Sequence, residues 1–413
     1  MKKIYFISIF LILFSGTNFS HGKIGYNSGL DRTISFPDTE DYLTLSTDLH
    51  THSVFSDGHV WPNIRVAEAQ KDSIDVLAIT EHLEYQPHIN QIPHEDRNSS
   101  YVEAKKSASG SDLIVINGSE ITREMPPGHI NAVFVKDANK LHNMDPKLLP
   151  EAKELIEERA QGAELPEEEM RVIENYALGN LWPALEALVE AKKQGAFVFW
   201  NHPMWGSQAP DGIARLDEMH KEFIEKGLLH GIEIVNTNTY SEEAFNIALE
   251  NNLALIGTSD VHNLIEWDYD ASKNEHRPIT LVFAKERNAE SIKEALFARR
   301  TVVVFKDKLM GKSENLIPLL ESIMSISSNG YTKGTQILKM EIKNNSSANM
   351  VLQNLSDVNF SNNDDLITIP KNGKINLQVK TLENLESLNL KFKVLNALTA
   401  PKENPIVEFR IKT

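Results

Sequence analysis

The chain has 413 residues, of which 41% are apolar and 24% charged, with a formal net charge of −16 and no cysteine. The length suits two or three domains, and the apolar content excludes wholesale disorder. The negative charge argues against a basic face for duplex or long nucleic acid, and the lack of cysteine excludes disulfides, thiolate metal sites and cysteine nucleophiles. Any metal must therefore rest on His, Asp and Glu.

Lys2 and Lys3 precede an apolar run, Ile4 to Phe14, which is followed by small and polar residues from Ser15 to Gly22. A basic start and a short apolar stretch are the features of a secretory signal peptide. The run falls short of the ~20 apolar residues that a spanning helix needs. Residues 1–22 are read as a signal peptide, and the mature protein as periplasmic or secreted, with no membrane association once the signal is removed.

From about Leu43 to Phe305, apolar runs alternate with helical stretches. The runs are Leu43–Leu49, Asp75–Ile79, Leu113–Ile116, Ile130–Val135, Ala196–Trp200, Gly231–Val235, Leu253–Ile256, Ile279–Phe283 and Val302–Phe305. They show little polar alternation, as strands buried on both faces require, which predicts βα units and a mainly parallel sheet. The stretch 141–195 reads as helical. Asp145-Pro146 and Leu165-Pro166 start helices, and Gly162, Gly179 and Gly195 stop them. Residues from about 141 to 180 are read as an insertion on the rim of an α/β barrel. After about Lys312 the pattern changes to polar–apolar alternation, in Gln336–Lys343, Leu366–Ile369, Lys374–Lys380 and Asn389–Val394. Residues 313–413 thus predict a small β-sandwich, and 23–312 the α/β domain.

The chemistry lies in where the histidines fall. His50 and His52 end the first run in Asp48-Leu49-His50-Thr51-His52, and their i, i+2 spacing puts both imidazoles on one strand face. Asp57-Gly58 follows in a turn. His82 ends the second run, Glu120 follows the third, His202 ends the fifth, and Asp260 and His262 follow the seventh. His129 is the exception, because it opens the fourth run. In a parallel α/β barrel the C-terminal strand ends converge on one site. Nitrogen and oxygen donors of this kind suit Zn, Mn or Fe, and nine donors at about three to four per ion predict two or three divalent metals. Paired ions brace both the attacking and the leaving oxygen of a displacement.

At these residues the chain resembles the PHP (polymerase and histidinol phosphatase) superfamily. The ordered features are the His-x-His opening with a Ser-Asp-Gly turn, the strand-end His82, Gly118-Ser119-Glu120, Gly128-His129, Asn201-His202-Pro203 and Ser259-Asp260-Val261-His262. The resemblance implies a distorted seven-stranded β/α barrel of PHP type around a trinuclear metal site, here with a C-terminal β-sandwich. Carried over position by position, it implies that His50, His52, Glu120 and Asp260 hold a first metal. Glu120 bridges to a second, held with His129 and His202, and Asp57, His82 and His262 hold a third. One departure is Glu81, where many members have Asp before the strand-end His. Within the superfamily the chain is most similar to exported phosphodiesterases, through Trp61-Pro62, Glu81-His82-Leu83-Glu84-Tyr85, Glu120-Ile121-Thr122-Arg123 and His202-Pro203-Met204-Trp205.

The implied reaction is hydrolysis of small organic phosphodiesters by a metal-bridging hydroxide on the Glu120-linked pair. A protonated group near Asp260 or His202 is the expected general acid. Arg123 and Arg277 are candidates to grip phosphate oxygens, and Tyr85 and Trp205 to wall an organic group. His59, His88, His94, His142, His220, His230 and His276 fit no ligand slot and are read as packing or surface residues. The alternatives are a phosphomonoesterase of the histidinol-phosphatase type, a short-oligonucleotide exonuclease, and a non-catalytic metal- and glycan-binding surface protein.

Overall fold

Runs of Val, Ile, Leu and Phe with no polar face can only be satisfied by cover on both sides, and they form the centre of one curled sheet. In chain order its strands are β1 (Leu43–Asp48), β2 (Val76–Ile79), β3 (Ile114–Ile121), β4 (Ile130–Val133), β5 (Phe197–Trp200), β6 (Gly231–Asn236), β7 (Thr239–Tyr240), β8 (Ala254–Thr258), β9 (Ile279–Ala284), β10 (Thr301–Phe305) and β11 (Lys308–Gly311). Helices α1 (Pro62–Lys71), α2 (Ser99–Ser107), α3 (Leu149–Ala160), α4 (Met170–Asn180), α5 (Ala184–Gln194), α6 (Glu218–Glu225), α7 (Glu242–Glu250), α8 (Ile265–Asp268) and α9 (Ala289–Phe297) lie between them, and α10 (Ser313–Ile323) follows β11. This computed structural model describes residues 32–143, 145–160, 165–273 and 275–413. The signal-peptide segment 1–22 and the helix stop expected at Gly162 lie outside the described residues.

The sheet runs β11-β10-β9-β1-β2-β3-β4-β5-β6, with β7 and β8 both paired to β6, and it makes an α/β half-barrel. It is mixed rather than mainly parallel. The pairs β1/β2, β2/β3, β5/β6 and β6/β8 are parallel, whereas β4 runs against both its neighbours and β9 runs against β1. The reason is connection length. The link from Thr122 to His129 is too short for the crossover that a parallel return needs, so β4 turns back on β3. That reversal explains the exceptional place of His129: the start of an antiparallel strand lies at the same end of the sheet as the finish of its parallel neighbours.

No backbone ladder joins β8 to β9. Instead the Thr280 hydroxyl accepts from the Gly257 N–H at 2.8 Å and donates to the Gly257 carbonyl at 2.9 Å, using both capacities of one oxygen. Beyond the strand ends, Asp260 N–H donates to the His50 carbonyl at 3.0 Å and His52 N–H to the Val261 carbonyl at 3.1 Å. The seam thus brings the ligand loops after β1 and β8 side by side. Gly257 permits it, because a Cβ there would lie 2.3 Å from Val303 Cγ1. We expect Gly257→Ala to destabilise the fold by about 1–3 kcal/mol through overpacking. In urea titrations the same change should cost less in a Val303→Ala background; an equal cost in both would refute the contact.

The C-terminal region begins with α10, so its first strand is β12 (Met324–Tyr331). Then come β13 (Ile337–Asn344), β14 (Met350–Asn354), β15 (Asn359–Phe360), β16 (Leu366–Ile369), β17 (Lys374–Lys380), β18 (Ser387–Val394), β19 (Ala397–Leu398) and β20 (Ile406–Lys412). Two antiparallel sheets, β12-β13-β17-β15 and β16-β14-β18-β20, face each other. Alternate residues of β13 and β18 are buried, as half-buried strands require. β19 leaves the sandwich and pairs in parallel with β11, Leu309 against Ala397 and Met310 against Leu398. One apolar cluster runs from Val66 and Leu77 through Leu281, Val302 and Leu320 to Met340, Leu352 and Phe392.

Candidate metal centre

The strand ends deliver the donors predicted from sequence to one place. His50 and His52 bring their Nε2 atoms within 3.0 Å of each other. Each lies close to Asp260 Oδ1, at 3.2 and 3.1 Å, and to Glu120 Oε2, at 3.5 and 3.4 Å. Glu120 Oε1 lies 3.0 Å from His129 Nδ1 and 3.3 Å from His202 Nε2. Asp57 reaches His82 Nε2 at 3.4 Å and His262 Nε2 at 3.2 Å. All nine predicted ligand residues therefore form one cluster, and seven of them, all but His202 and Asp260, fall in groups that could share an ion. Three groups have donor atoms close enough together to share an ion: His52, Asp57, His82 and His262; His50, His52 and Glu120; His82, Glu120 and His129. These groups cut across the implied three-metal partition in that His82 also stands 2.8 Å from Glu120 Oε2.

The donors fit divalent cations on their own chemistry. Asp57 Oδ1, Glu120 Oε2 and Asp260 Oδ1 are buried and make no hydrogen bond, although an imidazole nitrogen stands within 3.2 Å of each; a cation shared between oxygen and nitrogen would satisfy both. Imidazole nitrogen with carboxylate oxygen suits first-row divalent ions. Burial opposes charge on His50, yet Asp260, Glu120 and Glu233 hold its pKa well above the ordinary value. Burial likewise opposes charge on His82, but Glu120 and Asp57 raise it. Burial, reinforced by His262, pulls His52 down to about 3. Against the burial cost, His82 and His50 hold Glu120 well below the carboxylate range. Protons and cations compete for the same nitrogens, so cation uptake would release protons.

Backbone strain is concentrated on two of these residues: His202 and Asp260 take left-handed φ values of 28° and 49°, which persist only where surroundings over-determine them. For Asp260, the neighbouring Ser259 donates its N–H and hydroxyl to Asp48 at 3.1 and 2.6 Å. For His202, the backbone N–H donates to Glu233 Oε2 at 2.7 Å.

Glu233 and Arg65 are residues that the sequence reading missed. Glu233, fully buried on β6, also takes His50 Nδ1 at 2.9 Å, the Thr258 hydroxyl at 2.6 Å and Asn236 Nδ2 at 2.9 Å. Its signal was present: one acid inside the apolar run Gly231-Ile232-Glu233-Ile234-Val235. Such carboxylate–histidine pairs orient the imidazole. Glu233→Ala should lower divalent-ion affinity by about 10- to 100-fold, read by calorimetry with manganese; unchanged affinity would remove Glu233 from the positioning role. Arg65, on α1, donates to the carbonyls of His52 and His262, both at 2.7 Å, and pairs with Glu68 at 2.7 Å. In sequence, Arg65 and Glu68 look like an ordinary solvated i, i+3 pair.

The Glu81 departure finds its place. Its carboxylate accepts from the Ser53 N–H at 3.0 Å, the Ser53 hydroxyl, and the Ser56 hydroxyl at 2.5 Å. Ser56 Oγ in turn lies 3.2 Å from His52 Nδ1, so Glu81 reaches a ligand imidazole through one hydroxyl.

Two substrate assignments are corrected. Arg277 is fully buried, with its guanidinium on Asp48 at 3.0 Å and Asp72 at 2.7 Å; it braces the sheet and faces no substrate. Arg123 is also buried, bonded to Glu84 and, at 3.0 Å, to the Trp182 carbonyl. Glu84 further accepts from the Thr122 N–H at 2.8 Å, and Thr122 Oγ1 lies 2.7 Å from His82 Nδ1. Arg123 therefore ties the end of α4 to the ligand loops. Tyr85 and Trp205 do line the pocket, and both are partly exposed. Of the other histidines, His94, His142, His220 and His276 bond to backbone carbonyls, and His230 accepts from Val198 N–H.

Residues 324–410 match the Ig-like domain family DUF5001. Among solved structures, the chain is similar to a two-domain protein from Bacteroides vulgatus that contains a predicted PHP-like metal-dependent phosphoesterase. The two share 34% identity over 92% of this chain and 98% of that one, with a TM-score of 0.76. A protein from Bifidobacterium adolescentis named as a metal-dependent phosphoesterase aligns at 18% identity over 54% of this chain and 89% of that one, with a TM-score of 0.39. An amidohydrolase from Chromobacterium violaceum with bound sulfate and no metal aligns at 16% identity over 63% and 97%, with a TM-score of 0.40. These last two similarities are too weak to bear on the site. No curated protein matches the chain.

Proposed function

The chain belongs to the PHP-like metal-dependent phosphoesterases, and from that premise we propose that it hydrolyses small organic phosphodiesters at a centre of two or three divalent ions. The observation that carries this reading is the convergence of three buried carboxylate oxygens that make no hydrogen bond, on Asp57, Glu120 and Asp260, with six imidazoles. In the proposed assignment His50, His52, Glu120 and Asp260 would hold one ion, Glu120, His129 and His202 a second, and Asp57, His82 and His262 a third. Bound divalent ions supply Lewis-acid polarisation of the phosphoryl group and a water acidified toward neutrality.

The chain's own residues do the rest. Glu233 sets the His50 ring, Asn201 Nδ2 holds Glu120 Oε1 at 2.8 Å, and Ser56 sets His52. The proton destined for the leaving alkoxide is proposed to come from a protonated group near Asp260 and His202, whose Oδ2 and Nε2 lie 3.9 Å apart. The adjoining cleft of about 520 Å³ gives room for an organic ester group beside the centre.

Export is proposed from Lys2, Lys3 and the run Ile4 to Phe14. Among the described residues no helix is long and apolar enough to cross a membrane.

The test combines metal analysis with turnover. The purified protein should carry two or three ions per chain, cleave bis-p-nitrophenyl phosphate with manganese, and lose activity to a chelator. Cleavage of p-nitrophenyl phosphate alone would point to the monoesterase. A manganese-loaded protein that cleaves neither compound would refute the reading.

A further inference from the structure

Two cavities meet over the metal centre. The inner one, about 280 Å³, is lined by ligand residues together with Asn236 and Thr237. The outer one, about 520 Å³, shares Asp57, His82, His129 and Trp205 with it and runs out between Tyr85 and α4. Helix α4 contributes Val172, Ile173 and Tyr176, so the rim insertion makes one wall of the outer cavity.

That wall is built in place. Helices α3 and α4 share a small core of Ala152, Ile156, Ala177 and Leu178. The last turn of α4 presses on the loop after β2, since a Cβ on Gly179 would lie 2.6 Å from Glu84 Cγ. Glu84 and Arg123 then fasten the α4 end to the ligand loops. Aromatic rings stand across the cavity, with Tyr85 and Tyr176 edge to face at 6.1 Å and Trp205 against His129 and His202 at 5.5 and 5.3 Å.

The charge pattern is as informative as the shape. Among the described residues lining either cavity there is no lysine or arginine, and the outer one adds Glu169 to Asp57. Arg123 and Arg277, the cations that the sequence offered, are locked elsewhere. A phosphoryl group would be gripped at the ligand set alone. A further anionic group in the outer cavity would face Glu169 with no lysine or arginine in the lining to balance it, whereas a ring or alkyl chain would bury apolar surface against α4.

We propose that the outer cavity is the subsite for one uncharged, apolar or aromatic substituent of the phosphoester, and that it disfavours a substituent bearing its own negative charge. The inference rests on the metal-centre reading and names the substrate class for it. Phosphonates test it without turnover, because each carries one head group for the metals and one organic group. Methyl-, phenyl- and 4-carboxyphenylphosphonate are titrated calorimetrically into manganese-loaded protein. Phenylphosphonate should bind about tenfold tighter than methylphosphonate, and the 4-carboxy group should cancel that gain. Ile173→Asp should weaken phenylphosphonate about tenfold while methylphosphonate moves by less than about twofold. Equal binding of all three by the wild type, or tightest binding of the carboxylated ring, overturns the subsite. If none of the three binds, the metal-centre reading fails and the subsite falls with it.

Discussion

Glu120→Gln should abolish turnover of a phosphodiester, by about 10³-fold or more, and release at least the ion that Glu120 would bridge. Glu120 is fully buried and lies within 3.5 Å of nitrogen atoms on His50, His52, His82, His129 and His202. Gln keeps the shape but removes the charge, and it turns one oxygen into a donor that faces imidazoles and a cation site. The fold should survive, because Asn201 and the strand pairing of β3 do not depend on the charge. Metal analysis, bis-p-nitrophenyl phosphate turnover and circular dichroism on one preparation check this. A fully loaded, active Glu120→Gln protein would remove Glu120 from the centre.

Arg277→Leu should destabilise the protein by about 3–5 kcal/mol, because removing one partner strands the other buried charges. Here Asp48 loses its cation and Asp72 one of its two. Asp48 keeps only the bonds from Ser259, and Asp72 keeps Arg32, whose guanidinium lies at 2.6 Å. Burial works against the charge on Arg277, but Asp72 and Asp48 hold its pKa above the ordinary value, so it stays charged in the accessible pH range. Chemical denaturation gives the measurement. The competing expectation, a phosphate-gripping arginine, predicts unchanged stability with a raised KM, and that result would refute the structural role.

The clustering of the nine donors was legible in the sequence because strand ends and i, i+2 spacing are local features. His50 with His52, and Asp260 with His262, announce themselves without any knowledge of topology. The reversal of β4 was less visible: Gly128-His129-Ile130 looks like any strand start, and only the short link back to Glu120 hints at its direction. Arg123 and Arg277 show where nearness in sequence misleads. A cation near a ligand in sequence reads as a substrate clamp, whereas its partners, Glu84 for one and Asp72 for the other, lie 39 and 205 positions away. Glu233 was recoverable, since an acid inside an otherwise apolar strand needs a buried partner. Arg65 was not, because its targets are backbone carbonyls that carry no sequence signal.

The pairing of β19 with β11 has an evolutionary corollary. A strand lent by one module to finish the edge of another makes the donor hard to lose or exchange. A chain cut after Lys312 would leave Leu309 and Met310 on a naked sheet border and strip cover from Val302 and Leu281. Transplanting the Ig-like module onto an unrelated hydrolase, or the hydrolase onto an unrelated tail, would therefore break both parents, and the pair is expected to be inherited as one piece.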